Sequence, residues 1–197
     1  METVKDYYDK RAPEYDDAYL GIGLYADRKR PGFDEELRAL ERMISSFPPC
    51  RVLDVACGTG FLTRHLKGEV VGLDQSEAML KIVRERIPEA TFVKGNAFAL
   101  PFTDASFDKA FVANFYGLLL PHERTAFLSE VRRVSSELVV VETTPRGWEP
   151  EGWQERTLSD GSRHKIYRRY FAAGSLTEEI SGKRVLFDGR WFVAVVA

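Results

Sequence analysis

Apolar positions along the chain change their period several times, and those changes set an order of elements. Leu37, Leu40, Ile44 and Phe47 recur at helical spacing, and Pro48-Pro49 ends that helix. The whole segment through Phe47 reads as helical and is rich in tyrosine. Val52 to Val55, apolar but for Asp54, reads as the first strand. Phe61 to Leu66 reads as the start of a helix, and Val70 to Leu73 as a second strand. Ser76 caps a helix that carries Ala78, Met79, Ile82, Val83 and Ile87 on one face. Thr91 to Val93 makes a third strand and Phe107 to Ala113 a fourth. A helix from about Glu123 buries Phe127, Val131 and Val134, and Leu138 to Val141 makes a fifth strand.

Strand and helix alternation of this kind implies a parallel sheet covered on both faces. The end of the chain differs. Ser175 and Glu178 have the spacing of a capping box for a short helix. Arg184 to Phe187 and Trp191 to Val196 flank Asp188-Gly189, a strong hairpin signal. An antiparallel hairpin therefore closes an otherwise parallel sheet. The expected fold is α/β, a mostly parallel seven-stranded sheet in one domain spanning 1–197. Its parts are an N-terminal helical lid (1–47), a core (48–143), a substrate-side segment (144–182) and the closing hairpin (183–197).

Composition narrows the class without naming it. Apolar residues are 44% and charged residues 29% of the 197, as in a soluble globular domain. The net charge of -2 provides no footprint for nucleic acid. Glu2, Lys5 and Asp6 make the first residues too polar for a signal peptide, and no apolar run reaches the length of a membrane span. Cys50 and Cys57 form no metal-ligand spacing. A cytoplasmic protein with reduced thiols, no metal and no membrane partner is the expectation.

The chemistry concentrates at the ends of the predicted strands. Val52-Leu53-Asp54-Val55-Ala56-Cys57-Gly58-Thr59-Gly60 is a strand that ends in an acid and a turn with two glycines. Such a turn lets backbone N–H groups approach a ligand, and a helix beginning at Phe61 would add its positive end. The third glycine of a dinucleotide fingerprint is replaced by Thr63, and Asp54 would repel a pyrophosphate. A ligand carrying an ammonium group would instead be attracted. Asp74 closes the second strand, where it can accept from ribose hydroxyls; a helix N-cap shared with Ser76 is the alternative. Gly95-Asn96-Ala97 follows the third strand. The only two asparagines, Asn96 and Asn114, both fall just past carboxyl ends of strands, where open α/β sheets bind ligands.

Taken in order, Val52 to Gly60, Val71 to Ser76, Gly95 to Phe102 and Asp104 to Asp108 resemble the motifs of class I S-adenosylmethionine-dependent methyltransferases. The small-molecule group of ubiquinone and menaquinone biosynthesis is the most similar, and Tyr8 to Asp16 resembles that group's amino-terminal signature. The resemblance implies a Rossmann-like sheet and S-adenosyl-L-methionine as cofactor. By position it implies that Gly58 and Gly60, with Ala56 and Cys57, face the methionine part and that Asp54 helps hold its amino group. It further implies that Asp74, with Gln75 and Met79 alongside, binds the ribose and that Asn96 and Ala97 meet the adenine. Asn114 and Phe115 would line the sulfonium end. Position 96 is usually Asp in this group and position 56 usually Gly, so Asn96 and Ala56 are departures. An asparagine carbonyl can also accept from the adenine amino group.

The implied reaction is methyl transfer to a small-molecule acceptor by in-line displacement, with no nucleic acid or membrane partner. His122, His164 and Tyr15 are the candidates for a catalytic group. Cys57 lacks a base nearby in sequence, and His65 reads as a solvated helical residue. The amino-terminal tyrosines and the stretch from Arg146 to Tyr170, with Trp148, Trp153 and the basic run Arg163 to Tyr170, are the expected walls of an acceptor pocket. A catalytically silent cofactor-binding or partner-activating module of the same fold is the alternative. An NAD-dependent oxidoreductase is a second one, against which Thr63 and Asp54 argue.

Overall fold

The computed structural model describes residues 4–145 and 151–197. Arg146 and Trp148, expected in the acceptor wall, lie outside the described residues. The amino-terminal segment folds as α1 (Val4–Arg11), α2 (Asp17–Leu20) and α3 (Phe33–Ser45), joined by short 3₁₀ turns. The sheet is built from β1 (Cys50–Val55), β2 (Gly68–Asp74), β3 (Thr91–Lys94), β4 (Phe107–Ala113) and β5 (Ser135–Thr143), all parallel. Between them run α4 (Glu77–Arg86) and α5 (Pro121–Val134). A separate antiparallel pair follows, β6 (Glu151–Thr157) with β7 (Arg163–Arg169), then α6 (Ala173–Glu179). The chain closes with β8 (Arg184–Asp188) and β9 (Phe192–Val196). The seven-stranded order is β3-β2-β1-β4-β5-β9-β8, with β9 antiparallel to both neighbours.

Both faces of the sheet are covered, so its central strands are apolar throughout rather than alternating. On one face Leu53, Val71, Ala110 and Val140 meet Phe127, Val131 and Val134 of α5 and Leu176 of α6. On the other, Val52, Phe111 and Val139 meet Leu37, Leu40 and Ile44 of α3. A smaller cluster joins Leu80 and Val83 of α4 to Cys57 and Ile87. No described helix is long and apolar enough to cross a membrane.

Three local expectations are corrected. No α-helix starts at Phe61; the only helical piece there is a 3₁₀ turn, Thr63–His65. Residues 56–67 must hold both the glycine turn and the crossover to the adjacent β2, and Phe61 and Leu62 plunge into the core instead of starting a helix. The helix-dipole contribution at the turn is therefore missing. Ser175 does not cap α6, which begins two residues earlier; its hydroxyl turns back to the Ala172 carbonyl at 3.0 Å. The basic run Arg163 to Tyr170 is largely strand β7, so only alternate side chains share a face.

Candidate functional site

The strand order reverses between β1 and β4, and the carboxyl ends of β1 to β4 open there into a crevice. A cavity of about 250 Å³ fills it. Ala56 and Gly58 line it from the turn after β1, and Asp74, Gln75 and Met79 from the end of β2 and the start of α4. Asn96 and Ala97 follow β3, and Asn114 and Phe115 follow β4. Asp54, Cys57 and Gly60 do not line it.

The turn explains that division. Ala56 (φ 61°), Gly58 (φ 55°) and Gly60 (φ 76°) all adopt the left-handed region. For Ala56 this is strained, at about 1–2 kcal/mol for an L-residue. A Cβ on Gly58 would stand 3.8 Å from the Tyr15 ring, beside the cavity. A Cβ on Gly60 would collide with Val83 of α4, so this glycine permits helix packing instead of ligand approach. Cys57 packs against Leu80 and Val83, and burial, reinforced by Asp54 and Asp74, pushes its thiol well up, which makes it inert.

The two acids have separate tasks. The Asp74 carboxylate accepts from the N–H of Gly58 at 2.9 Å and of Ser76 at 2.8 Å, so it pins the turn to the start of α4. Burial raises its pKa, and those N–H bonds oppose the rise. Ser76 itself is the N-cap, its Oγ accepting from Met79 N at 3.2 Å. Asp54 lies beneath the turn and accepts from Thr63 Oγ1 at 2.6 Å; burial pushes it up to about 7. Asn96 Oδ1 accepts from Phe98 N at 3.0 Å, an Asx turn that holds the loop after β3.

A second cavity of about 540 Å³ adjoins the first, and the two share Tyr8, Tyr15, Asn114 and Leu118. Tyr7, Arg11 and Tyr19 line it from the amino-terminal segment. Arg156 and the inward-facing Ile166, Arg168 and Tyr170 line it from the β6–β7 pair. Arg163 and Lys165 face away and are exposed, and Trp153 is exposed on the outer side against Tyr167. At its floor Arg168 pairs with the fully buried Glu142 at 2.7 Å and donates to the Asn114 carbonyl at 3.0 Å. Asn114 (φ 56°) donates from Nδ2 to Tyr19 Oη at 2.9 Å.

The amino-terminal segment is fastened at two points to the loops after β1 and β2 and to α4, beside the first cavity. Ser76 Oγ donates to Asp9 at 2.5 Å, and the Asp16 carboxylate accepts from Thr59 Oγ1 and from Arg86, both at 2.5 Å. Burial raises the phenols of Tyr8, Tyr15 and Tyr19, the last to about 12, so all three remain protonated donors. Tyr15 consequently borders both cavities as a hydrogen-bond donor and is no base at neutral pH. His164 is buried against the Tyr7 ring at 5.0 Å, with Ser162 Oγ at 2.9 Å, and borders neither cavity. His122 is exposed at the start of α5 and borders neither. Tyr8 lines the second cavity as expected of the amino-terminal tyrosines, and Arg156 falls within the expected 146–170 wall without having been singled out; sequence reasoning missed Arg11 and Leu118 as lining residues.

Residues 52–137 match a family described as "Methyltransferase domain". The demethylmenaquinone methyltransferase of Thermotoga maritima is 35% identical over 148 residues, covering 70% of this chain and 60% of that protein. An uncharacterized protein of Methanocaldococcus jannaschii is 30% identical over 190 residues, covering 96% of this chain and 70% of that one. Among solved structures, a DhpI-SAM-HEP complex superposes with a TM-score of 0.76 at 26% identity over 100% of both chains.

Proposed function

This chain belongs to the class I S-adenosylmethionine-dependent methyltransferases, and we propose that it transfers a methyl group from S-adenosyl-L-methionine to a small-molecule acceptor. The observation that carries the reading is the meeting of two cavities at Tyr8, Tyr15, Asn114 and Leu118, one for each reactant.

The smaller cavity fits the cofactor on the chemistry of its own walls. Asp74 presents a buried carboxylate that keeps acceptor capacity beyond Gly58 and Ser76, as a ribose diol requires. Gly58 leaves a space that any Cβ would take up. Bound there, the cofactor supplies an electrophilic methyl group on sulfur. Asp74 would accept from the ribose hydroxyls, Asn96 would meet the edge of the base, and Met79, Ala97 and Phe115 would supply apolar surface. Tyr8 and Tyr15 border both cavities where they meet, and Asn114 fixes their common wall through Tyr19 and Arg168. Orientation and water exclusion are the main contributions asked of the protein, because the sulfonium is already activated. Residues 4–47 act as the lid over the 48–143 core, with 151–182 as the opposite wall, since the Asp9–Ser76 and Asp16–Thr59 bonds fasten the first segment to the loops after β1 and β2.

The test is incubation with methyl-labelled S-adenosylmethionine and a panel of small metabolites, read by mass spectrometry, beside calorimetry with S-adenosylhomocysteine. A labelled product with stoichiometric S-adenosylhomocysteine is expected. Binding with no transfer across a panel of every acceptor class identifies the catalytically silent alternative, and no binding at millimolar ligand overturns the reading altogether.

A further inference from the structure

We propose that the methyl acceptor carries an oxyanion, and that Arg11 and Arg156 seat it in the larger cavity. The inference rests on the methyl-transfer reading and names the chemical class of its acceptor. The chain has a net charge of -2, yet this one cavity is bordered by Arg11, Arg28, Lys29, Arg30, Arg156 and Arg168. Among the described residues no aspartate or glutamate borders it. Cations gathered on a concave, partly desolvated wall focus a positive potential into the space they surround.

The six cations are not equivalent. Arg168 is neutralised by Glu142 at 2.7 Å, and Arg30 has Asp34 at 3.8 Å. Arg28 and Lys29 are exposed at the mouth. Arg11 and Arg156 are half-buried, and among the described residues the hydrogen bonds of their guanidinium groups go only to neutral oxygens. Arg11 donates to the phenols of Tyr7 at 3.0 Å and Tyr25 at 3.4 Å. Arg156 donates to Gln154 Oε1 at 2.6 Å and the Tyr170 phenol at 3.3 Å. Elsewhere in the molecule comparable arginines meet carboxylates: Arg86 with Asp16 at 2.5 Å, Arg124 with Glu151 at 2.9 Å, Arg169 with Glu179 at 2.7 Å.

A guanidinium drawn out of water without a counter-charge is costly, and each has five N–H donors of which few are used here. Both cations also act on one hydroxyl: burial raises the Tyr7 phenol, and Arg11 and Arg156 each pull it back. Both guanidinium-bearing residues border the same cavity, and Arg11 donates to the Tyr7 phenol that lines it. A carboxylate, sulfonate or phosphoryl group satisfies the planar fork of each and supplies the missing charge. A volume of about 540 Å³ suits a small molecule.

The test is calorimetric titration of the full chain, saturated with S-adenosylhomocysteine and at constant ionic strength, with inorganic phosphate, methanesulfonate, acetate and, as the neutral control, glycerol. At least one anion should bind with a Kd of about 10 mM or tighter, and glycerol should give no heat. Arg11→Gln and Arg156→Gln should each weaken that anion about tenfold or more while leaving S-adenosylhomocysteine affinity within about threefold. Phosphate ahead of acetate marks a phosphoryl acceptor and the reverse a carboxylate; either supports the proposal. Wild-type protein that binds S-adenosylhomocysteine and none of the three anions overturns it, whatever the variants do. So do folded variants that bind anions as the wild type does. Failure of the wild type to bind S-adenosylhomocysteine is failure of the parent reading, and the same anion titration without it then decides the preference of the cavity by itself.

Discussion

Replacing Asp54 by asparagine should stabilise the cofactor-free protein by an amount that grows with pH. Asp54 is 2% exposed, and burial holds its carboxyl at about 7 against an ordinary 3.8. The folded pKa is raised, so ionisation favours the unfolded chain. Below the ordinary value both states hold the proton and nothing is lost. Between that value and about 7 the unfolded chain releases its proton first and stability falls with rising pH. Above about 7 the loss is complete, roughly 4 kcal/mol as an upper figure from about 1.4 kcal/mol per pKa unit. The asparagine carbonyl can still accept from Thr63 Oγ1, and its fixed costs do not vary with pH. The stability difference between variant and wild type should therefore widen by about 2–3 kcal/mol from pH 5 to pH 8. Urea unfolding across that range, followed by far-UV circular dichroism, measures it. A difference that stays flat or narrows refutes the reasoning. A cofactor ammonium group near the turn would favour the ionised carboxylate. Stabilisation of the wild type by S-adenosylhomocysteine should then be larger at pH 8 than at pH 6, and that of the variant should not change.

Asp74→Ala should cost about 1–3 kcal/mol of S-adenosylhomocysteine affinity through the lost ribose bonds, read by calorimetry. It should also lower the cofactor-free melting temperature, because the Gly58 and Ser76 N–H groups lose their acceptor; an unchanged melting point would show that the turn is not held there. The two glycines should part company: Gly60→Ala destabilises the fold through Val83, whereas Gly58→Val keeps most of the fold and abolishes binding. Equal losses of melting temperature in the two variants would contradict the packing role of Gly60. Asp16→Ala removes the bonds to Thr59 and Arg86, so S-adenosylhomocysteine release in stopped flow should quicken about tenfold or more. An unchanged release rate would show that this fastening does not hold the lid closed.

Strong local signals carried the fold. β4 was legible over its whole length, Phe107–Ala113, because Phe107 and the apolar run Ala110 to Ala113 sit between polar loops and have few other uses. Ser76 was legible as an N-cap and Asp188-Gly189 as the return of the last hairpin, since each depends on backbone chemistry within a few residues. The helix expected at Phe61 failed because the short crossover and the demands of the core outweighed its local preference.

Most of the first cavity was also legible, because parallel strands bring their carboxyl ends together whatever their distance in sequence. Asp74, Asn96 and Asn114 could thus be placed together from the sequence alone. Spacing could not distinguish Gly58, which borders the first cavity, from Gly60, which admits Val83; that division depends on where α4 crosses the turn. The basic run after β6 was recognised, yet only its strand conformation decides that Arg168 and Tyr170 face inward while Arg163 and Lys165 face out. The convergence of Arg11 and Arg156 on one cavity, and the absence of a carboxylate beside either among the described residues, are long-range facts. A sequence states which charges a chain carries. Only the packed tertiary structure decides which of them meet, because the chain closes over distances that no local pattern encodes.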